Sequence, residues 1–301
     1  MKYLIITTLV IMNATSCLEM AVDKQTLLAK DYRLFQETPV WDLAKATADN
    51  NLNKMEALVK KDNLAVDYRE LRFGQTLLFL TIWNEKPEAC DKLLSLGANP
   101  NIQQSYDHQT PLILSAGISD DEKSVAFIKS LLKYGADPNV VQIDSSQLAE
   151  YPKSKPINST ALITACSDVL ATKKPLPKVI LLVQSGANIN YVGNYNISAL
   201  RTALYFENYD VAHYLIEKGV DINSFCPVGE KCDSIGAKNV LEFLRGKLLD
   251  LSSKEYVYKM KIISTLKSRG FDYWNQPIPP DIIEQINSRY PKNIEEYLEK
   301  Y

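Results

Sequence analysis

The sequence predicts an all-α solenoid of about six helix-turn-helix repeats, with long hairpin-loop insertions and a C-terminal helical cap. Three observations carry this expectation. First, one turn keeps returning: Gly97-Ala98-Asn99-Pro100-Asn101, Gly135-Ala136-Asp137-Pro138-Asn139, Gly186-Ala187-Asn188-Ile189-Asn190 and Gly219-Val220-Asp221-Ile222-Asn223. The spacings are 38, 51 and 33 residues, so a unit of about 33 residues recurs with insertions in two copies. A weaker echo, Gly270-Phe271-Asp272, follows another 51 residues on. Second, helix-start signals sit at matching places in the units. Third, each unit holds two short apolar helices that cannot bury their faces alone, and stacked neighbours would share one core.

Thr110-Pro111-Leu112 shows the start signal in full: an N-cap hydroxyl, a proline at the first helical position, then a core leucine. Two residues before successive caps stand Gly74, His108, Asn158 and Asn196. All three residue types tolerate a left-handed backbone better than most, which predicts a tight turn there. The glycine after each second helix fits the left-handed C-cap. Period, caps and turns together resemble the ankyrin-repeat family over roughly residues 38–275. The resemblance implies an ankyrin-repeat solenoid whose inner helices and finger-like hairpin loops meet a protein partner.

The first repeat, about 38–70, is degenerate, as a terminal repeat with one solvent face should be. Trp41, Leu43, Ala46, Met55, Leu58 and Val59 hold its apolar positions. The second (71–104) and fifth (about 196–223) keep the family spacing. The third (105–139) has a longer bend around Ser119–Glu122, and the fourth (about 158–190) around Lys173–Pro177. Two hairpin loops are extended, Val140–Ile157 and Ser224–Lys238, and long loops are where specificity concentrates. The last unit begins near Asn239, with a capping-box pattern at Ser252-Ser253-Lys254-Glu255 before its outer helix. Residues 276–301 form the cap: prolines 277, 279 and 280 break the repeat, and Ile282, Ile283 and Ile286 mark one helix face to be covered.

Residues 1–16 read as an export signal, with Lys2 ahead of an apolar stretch too short to span a bilayer as a helix. Ala14-Thr15-Ser16-Cys17 resembles a bacterial lipobox, which implies lipidation of Cys17, with residues 17–37 as a tether and a periplasmic, membrane-anchored protein. Ala14 stands where that motif usually has leucine. Ala14-x-Ser16 also suits ordinary signal peptidase, which would leave a secreted chain, and a buried N-terminal element is a third reading. Within an exported chain, Cys226 and Cys232 would pair and close a loop worth about 2–3 kcal/mol. Cys90 and Cys166 fall at buried positions two units apart, too far to join.

Of 301 residues, 46% are hydrophobic, enough for a large core, while 34 basic against 36 acidic side chains give no sign of nucleic-acid binding. Catalytic motifs are missing from the sequence, so no enzyme, cofactor or metal is expected. Of the two histidines, His108 fits a turn and His213 is expected on the exposed side of an outer helix. The expected partner-binding residues are Leu80, Trp83, Leu114, Ser167, Thr202 and Tyr205 on inner helices, with Tyr106, Tyr151, Tyr191, Tyr195 and Phe225 on the fingers. Exported ankyrin lipoproteins are similar to immunity partners of toxic effectors, including phospholipases, delivered by contractile secretion systems. That resemblance implies a monomer that occludes a toxin. An envelope adaptor, or a secreted effector that binds host proteins, stays open beside it.

Overall fold

The structure, a computed structural model, describes residues 22–62, 64–145, 155–167, 175–225, 239–292 and 294–301. Its helices pair into six repeats: α1 (Trp41–Ala48) with α2 (Leu52–Asp62), α3 (Leu77–Trp83) with α4 (Pro87–Ser95), and α5 (Pro111–Ala116) with α6 (Asp121–Lys133). Then follow α7 (Ala161–Cys166) with α8 (Leu176–Gln184), α9 (Ala199–Tyr205) with α10 (Tyr209–Glu217), and α11 (Val240–Arg245) with α12 (Lys254–Ser268). First helices α1, α3, α5, α7 and α9 stack in one inner layer, and the second helices stack in an outer layer. One core runs between the layers; in α3 alone Leu77, Leu78, Phe79, Leu80 and Ile82 are all buried, each contributing about 1.5–3 kcal/mol.

Short helices need firm ends, and the sequence supplies them. The hydroxyls of Thr110, Thr160 and Ser198 accept the N–H of Ile113, Ile163 and Arg201 at 3.3–3.4 Å. Gly97, Gly135, Gly186, Gly219 and Gly270 close the outer helices with φ between 85° and 97°, a conformation that costs any residue with a Cβ. The final outer helix is capped by Ser253, which accepts from Tyr256, rather than by Ser252, whose own N–H is taken by Asp250.

The recurring asparagine, with Asp67 in its place in the first repeat, has a specific task. Its side-chain oxygen accepts the N–H of the next turn: Asp67 from Asn99, Asn101 from Asp137, Asn139 from Asn188, and Asn190 from Asp221, at 2.7–2.9 Å. The amide nitrogens of Asn101 and Asn139 also donate to the carbonyls of Gly135 and Gly186. Turn groups outside the helical bonds, four N–H groups and two carbonyls, are thus satisfied by the neighbouring repeat.

Of the four residues expected in left-handed turns, Gly74, His108 and Asn196 have φ of 67°, 56° and 58°. Asn158 does not. It lies in β2 (Ile157–Ser159), paired antiparallel with β1 (Gln142–Asp144), Ile143 opposite Asn158. The inserted loop supplies a strand partner, and pairing requires an extended backbone. The next finger presses close: a Cβ on Gly193 would collide with the Asn158 carbonyl.

Both ends are covered. Tyr32, Leu34 and Phe35 enter the core, and Arg72 donates to the carbonyls of Lys24 and Leu27. Residues 22–37 of the expected tether are therefore docked on the first repeats. At the other end, α13 (Pro280–Arg289) and α14 (Ile294–Lys300) build a separate small core from Ile282, Ile286, Tyr297 and Tyr301. Ile283 stays 37% exposed, so only two of the three expected isoleucines face inward. Tyrosine hydroxyls stitch this cap down: Tyr256 to the Lys300 carbonyl, Tyr273 to that of Tyr301, and Tyr297 to that of Leu249. His213 is not on an open face either; the Tyr258 ring of the following repeat stands 6.0 Å from it, leaving 15% of its side chain exposed.

Candidate functional site

Exposure on the inner layer is decided by position within the repeat. The fourth residue after the N-cap is buried at Leu80, Leu114 and Thr202 and half-buried at Thr164. Leu80 is a core residue instead, while Leu114 and Thr202, though largely covered, still line the groove that runs past them. The seventh residue after each cap sits at the helix end and faces outward. Read along the solenoid from the second repeat, that position holds Trp83, Gly117, Ser167 and Tyr205. Two aromatic walls, 41% and 61% exposed, thus flank two small residues.

The result is a continuous groove made of two adjoining depressions of about 380 and 460 Å³, which share Thr164. Gly117 and Ile118 line one half; Ser167, Arg201 and Phe206 line the other with Tyr205. Phe206 meets Tyr205 edge-on at 5.2 Å, which holds that wall upright. Ser167 donates to the Thr164 carbonyl at 2.8 Å, and the hydroxyls of Ser159 and Thr164 lie 3.2 Å apart. The floor is therefore small and hydroxyl-bearing, with Arg201 as a cation at one side. Its Nη1 donates to the carbonyls of Tyr195 and Asn196, which fixes its stem. Gly117, Phe206 and Arg201 were missed from sequence; counting seven residues from each cap would have found the first, since it puts the glycine between aromatics.

The fingers divide into three cases. Tyr106 is open, 68% exposed. Tyr195 is partly open, but its hydroxyl both donates to and accepts from the backbone of Lys155, so it braces the base of the long insertion. Tyr191 is half-buried against the core. Phe225 contradicts expectation outright: it is 1% exposed and packs edge-on against Phe243 at 5.2 Å. It fills the junction of the fifth and sixth repeats, touched through its short helical turn by α9 and α11. Tyr151, Cys17, Cys226 and Cys232 lie outside the described residues. Cys90 and Cys166 are buried, unpaired core residues, as expected, and burial pushes the Cys90 thiol up to about 12.

Comparison with known proteins agrees with this architecture. Residues 164–216 match the family model described as ankyrin repeats in many copies. A solved ankyrin repeat domain from Acinetobacter baumannii AYE aligns with a TM-score of 0.54 at 19% identity, over 76% of this chain and 97% of that one. The ankyrin repeat protein EF0377 aligns with a TM-score of 0.51 at 20% identity, over 75% of this chain and 97% of that one. No curated protein matches the sequence, and no catalytic family is indicated. Ankyrin repeats imply protein–protein interaction, and the stacked helix pairs, glycine-closed turns and inner groove together make this chain an ankyrin-repeat solenoid.

Proposed function

We propose that this chain is an envelope-tethered binding protein that clamps a single protein partner, acting as an immunity protein that occludes a secreted toxic effector such as a phospholipase. The observation that supports it is the row Trp83, Gly117, Ser167, Tyr205. Large exposed aromatics around a small-residue floor form the kind of notch in which binding energy concentrates. Repeats lie ~10 Å apart, so the two walls stand roughly 30 Å from each other, wide enough for a helix of about 10–12 Å diameter laid across. Groove and fingers together would cover an active site by bulk, with no chemistry of their own. Tethering rests on the signal and lipobox pattern of residues 1–17.

The test is capture from an extract of the source organism, followed by titration of the captured partner. Ser167→Trp fills the notch from a half-buried position on its lining, so affinity should fall by about 100-fold with the melting temperature nearly unchanged. Lys129→Ala, on the exposed outer layer, should bind as the native chain does. Loss of the partner's activity on binding supports occlusion. Capture of several envelope proteins with Ser167→Trp unaffected would overturn this reading and favour an adaptor. Unchanged membrane fractionation of Cys17→Ala would remove the lipid anchor.

A further inference from the structure

We infer that the C-terminal end of the solenoid encloses a binding site for one small anion, held between the Lys259 ammonium and the Arg245 guanidinium. Lys259 lies on α12 in the same stripe as the buried Ile262, Ile263 and Leu266 and is itself 0% exposed. Its Nζ is 3.9 Å from the centre of the Tyr301 ring and 5.5 Å from that of Tyr273. It donates to the Lys247 carbonyl at 3.2 Å. Arg245, the last residue of α11, faces the same rings: 4.6 Å from Tyr273, 5.3 Å from Trp274 and 6.0 Å from Tyr301. Its Nε donates to the Gln276 carbonyl at 3.1 Å.

What the two cations lack is a directly paired carboxylate; the charges of Glu207 and Glu255 act on Tyr209 from the edge of the cluster, and the terminal oxygen of Tyr301 is taken by the Tyr273 hydroxyl. Neither cation has a carboxylate within ion-pair distance among the described residues. Glu255, one turn before Lys259, is exposed. Three further buried polar atoms have no hydrogen-bond partner: Arg245 Nη1, the Tyr209 hydroxyl and the Tyr301 hydroxyl. Tyr301 interacts electrostatically with Tyr209, Tyr273 and Arg245, and Tyr209 with Tyr273, so these atoms belong to one neighbourhood.

Ring faces attract a cation but only partly replace its hydration, and an uncompensated buried charge is among the costliest arrangements in a fold. Lys259 can escape by losing its proton; burial, and then the Arg245 guanidinium, hold its pKa at about 7. Arg245 cannot, since a guanidinium stays charged. The free donors are N–H and O–H groups around two positive charges. Water would satisfy the hydrogen bonds and leave the charge. A halide or a small oxyanion satisfies both.

The experiment uses the full chain in sodium gluconate, titrated with chloride or with phosphate at constant ionic strength while thermal unfolding is followed. A saturable rise of several degrees is expected with one of the two anions, and the better one identifies halide or oxyanion. Lys259→Met and Arg245→Met, each folded by circular dichroism, should abolish it. Crystals grown in bromide should show anomalous density between the two cations if the halide is preferred, and crystals grown in phosphate a tetrahedral anion there if the oxyanion is. No rise with either anion, or an equal rise in both variants, overturns the site. So does a water at that place in crystals holding the preferred anion.

Discussion

Along the turns from Asp67 to Asn223, each repeat is joined to the next by the same side-chain oxygen accepting the same backbone N–H. Between Arg245 and Tyr301 no such rung at a fixed place in the repeat is found among the described residues. That region is held by tyrosine hydroxyls on carbonyls and by stacked rings packed around two buried cations. The difference shows two ways to finish a solenoid interface. A repeated sequence can use one cheap, exposed rung many times, because each copy needs only a short amide in place. Where repetition stops, the chain relies on large side chains that fit once. The first kind of joint should yield gradually to substitution and the second abruptly.

The largest effect should come from the boundary between the two regions. Phe225→Ala removes the wedge between α9 and α11 and should cost about 3–5 kcal/mol. Denaturant unfolding should then split into two transitions, the sixth repeat and cap separating first; a single transition would show that they are not a distinct unit. An intermediate effect tests the buried cation in gluconate. Folding disfavours the Lys259 ammonium, so the folded chain releases that proton near pH 7, while the unfolded chain keeps it to about 10.5. Unfolding therefore takes up a proton in that window, and stability should rise with pH between those values and be flat in this respect below them. Lys259→Met should lose this slope and be more stable at neutral pH by roughly 1–4 kcal/mol. An unchanged slope would assign the pH dependence elsewhere. The smallest effect belongs to the rungs. Asn139→Ala should cost about 1 kcal/mol, since the freed N–H of Asn188 is exposed and can bind water; a loss several times larger would mean that the turns act as a cooperative strip.

The repeat was legible because its signals are local. A glycine needing positive φ, a hydroxyl three residues ahead of its N–H and a proline at the first helical turn each act within one turn of chain. Trp83 and Tyr205 were legible for the same reason, being large residues at helix ends. Residues whose surroundings come from another repeat were not. Leu80 and Leu114 share a helical face with the exposed position three residues later, and only the neighbouring helix decides that they are covered. His213 is covered by Tyr258 of the next unit, Asn158 is straightened by a strand from an insertion, and Phe225 turns inward to fill a junction. Lys259 did leave a signal. It falls three, four and seven residues before Ile262, Ile263 and Leu266, on the apolar stripe of its own helix, where a solvated lysine has no place.

The asparagine rungs carry a consequence for what this molecule can tolerate. Asn101 reaches Asp137 across 36 residues of chain, and Asn139 reaches Asn188 across 49, with nearly the same bond length. Alignment of successive turns is thus set by contact through space and is indifferent to how much chain passes between them. The segment between two rungs behaves as an exchangeable cassette. A different finger, or a longer one, grafted between Asn139 and Asn188 would arrive on a foundation already levelled, so recognition can be rebuilt while the scaffold beneath it stays in register.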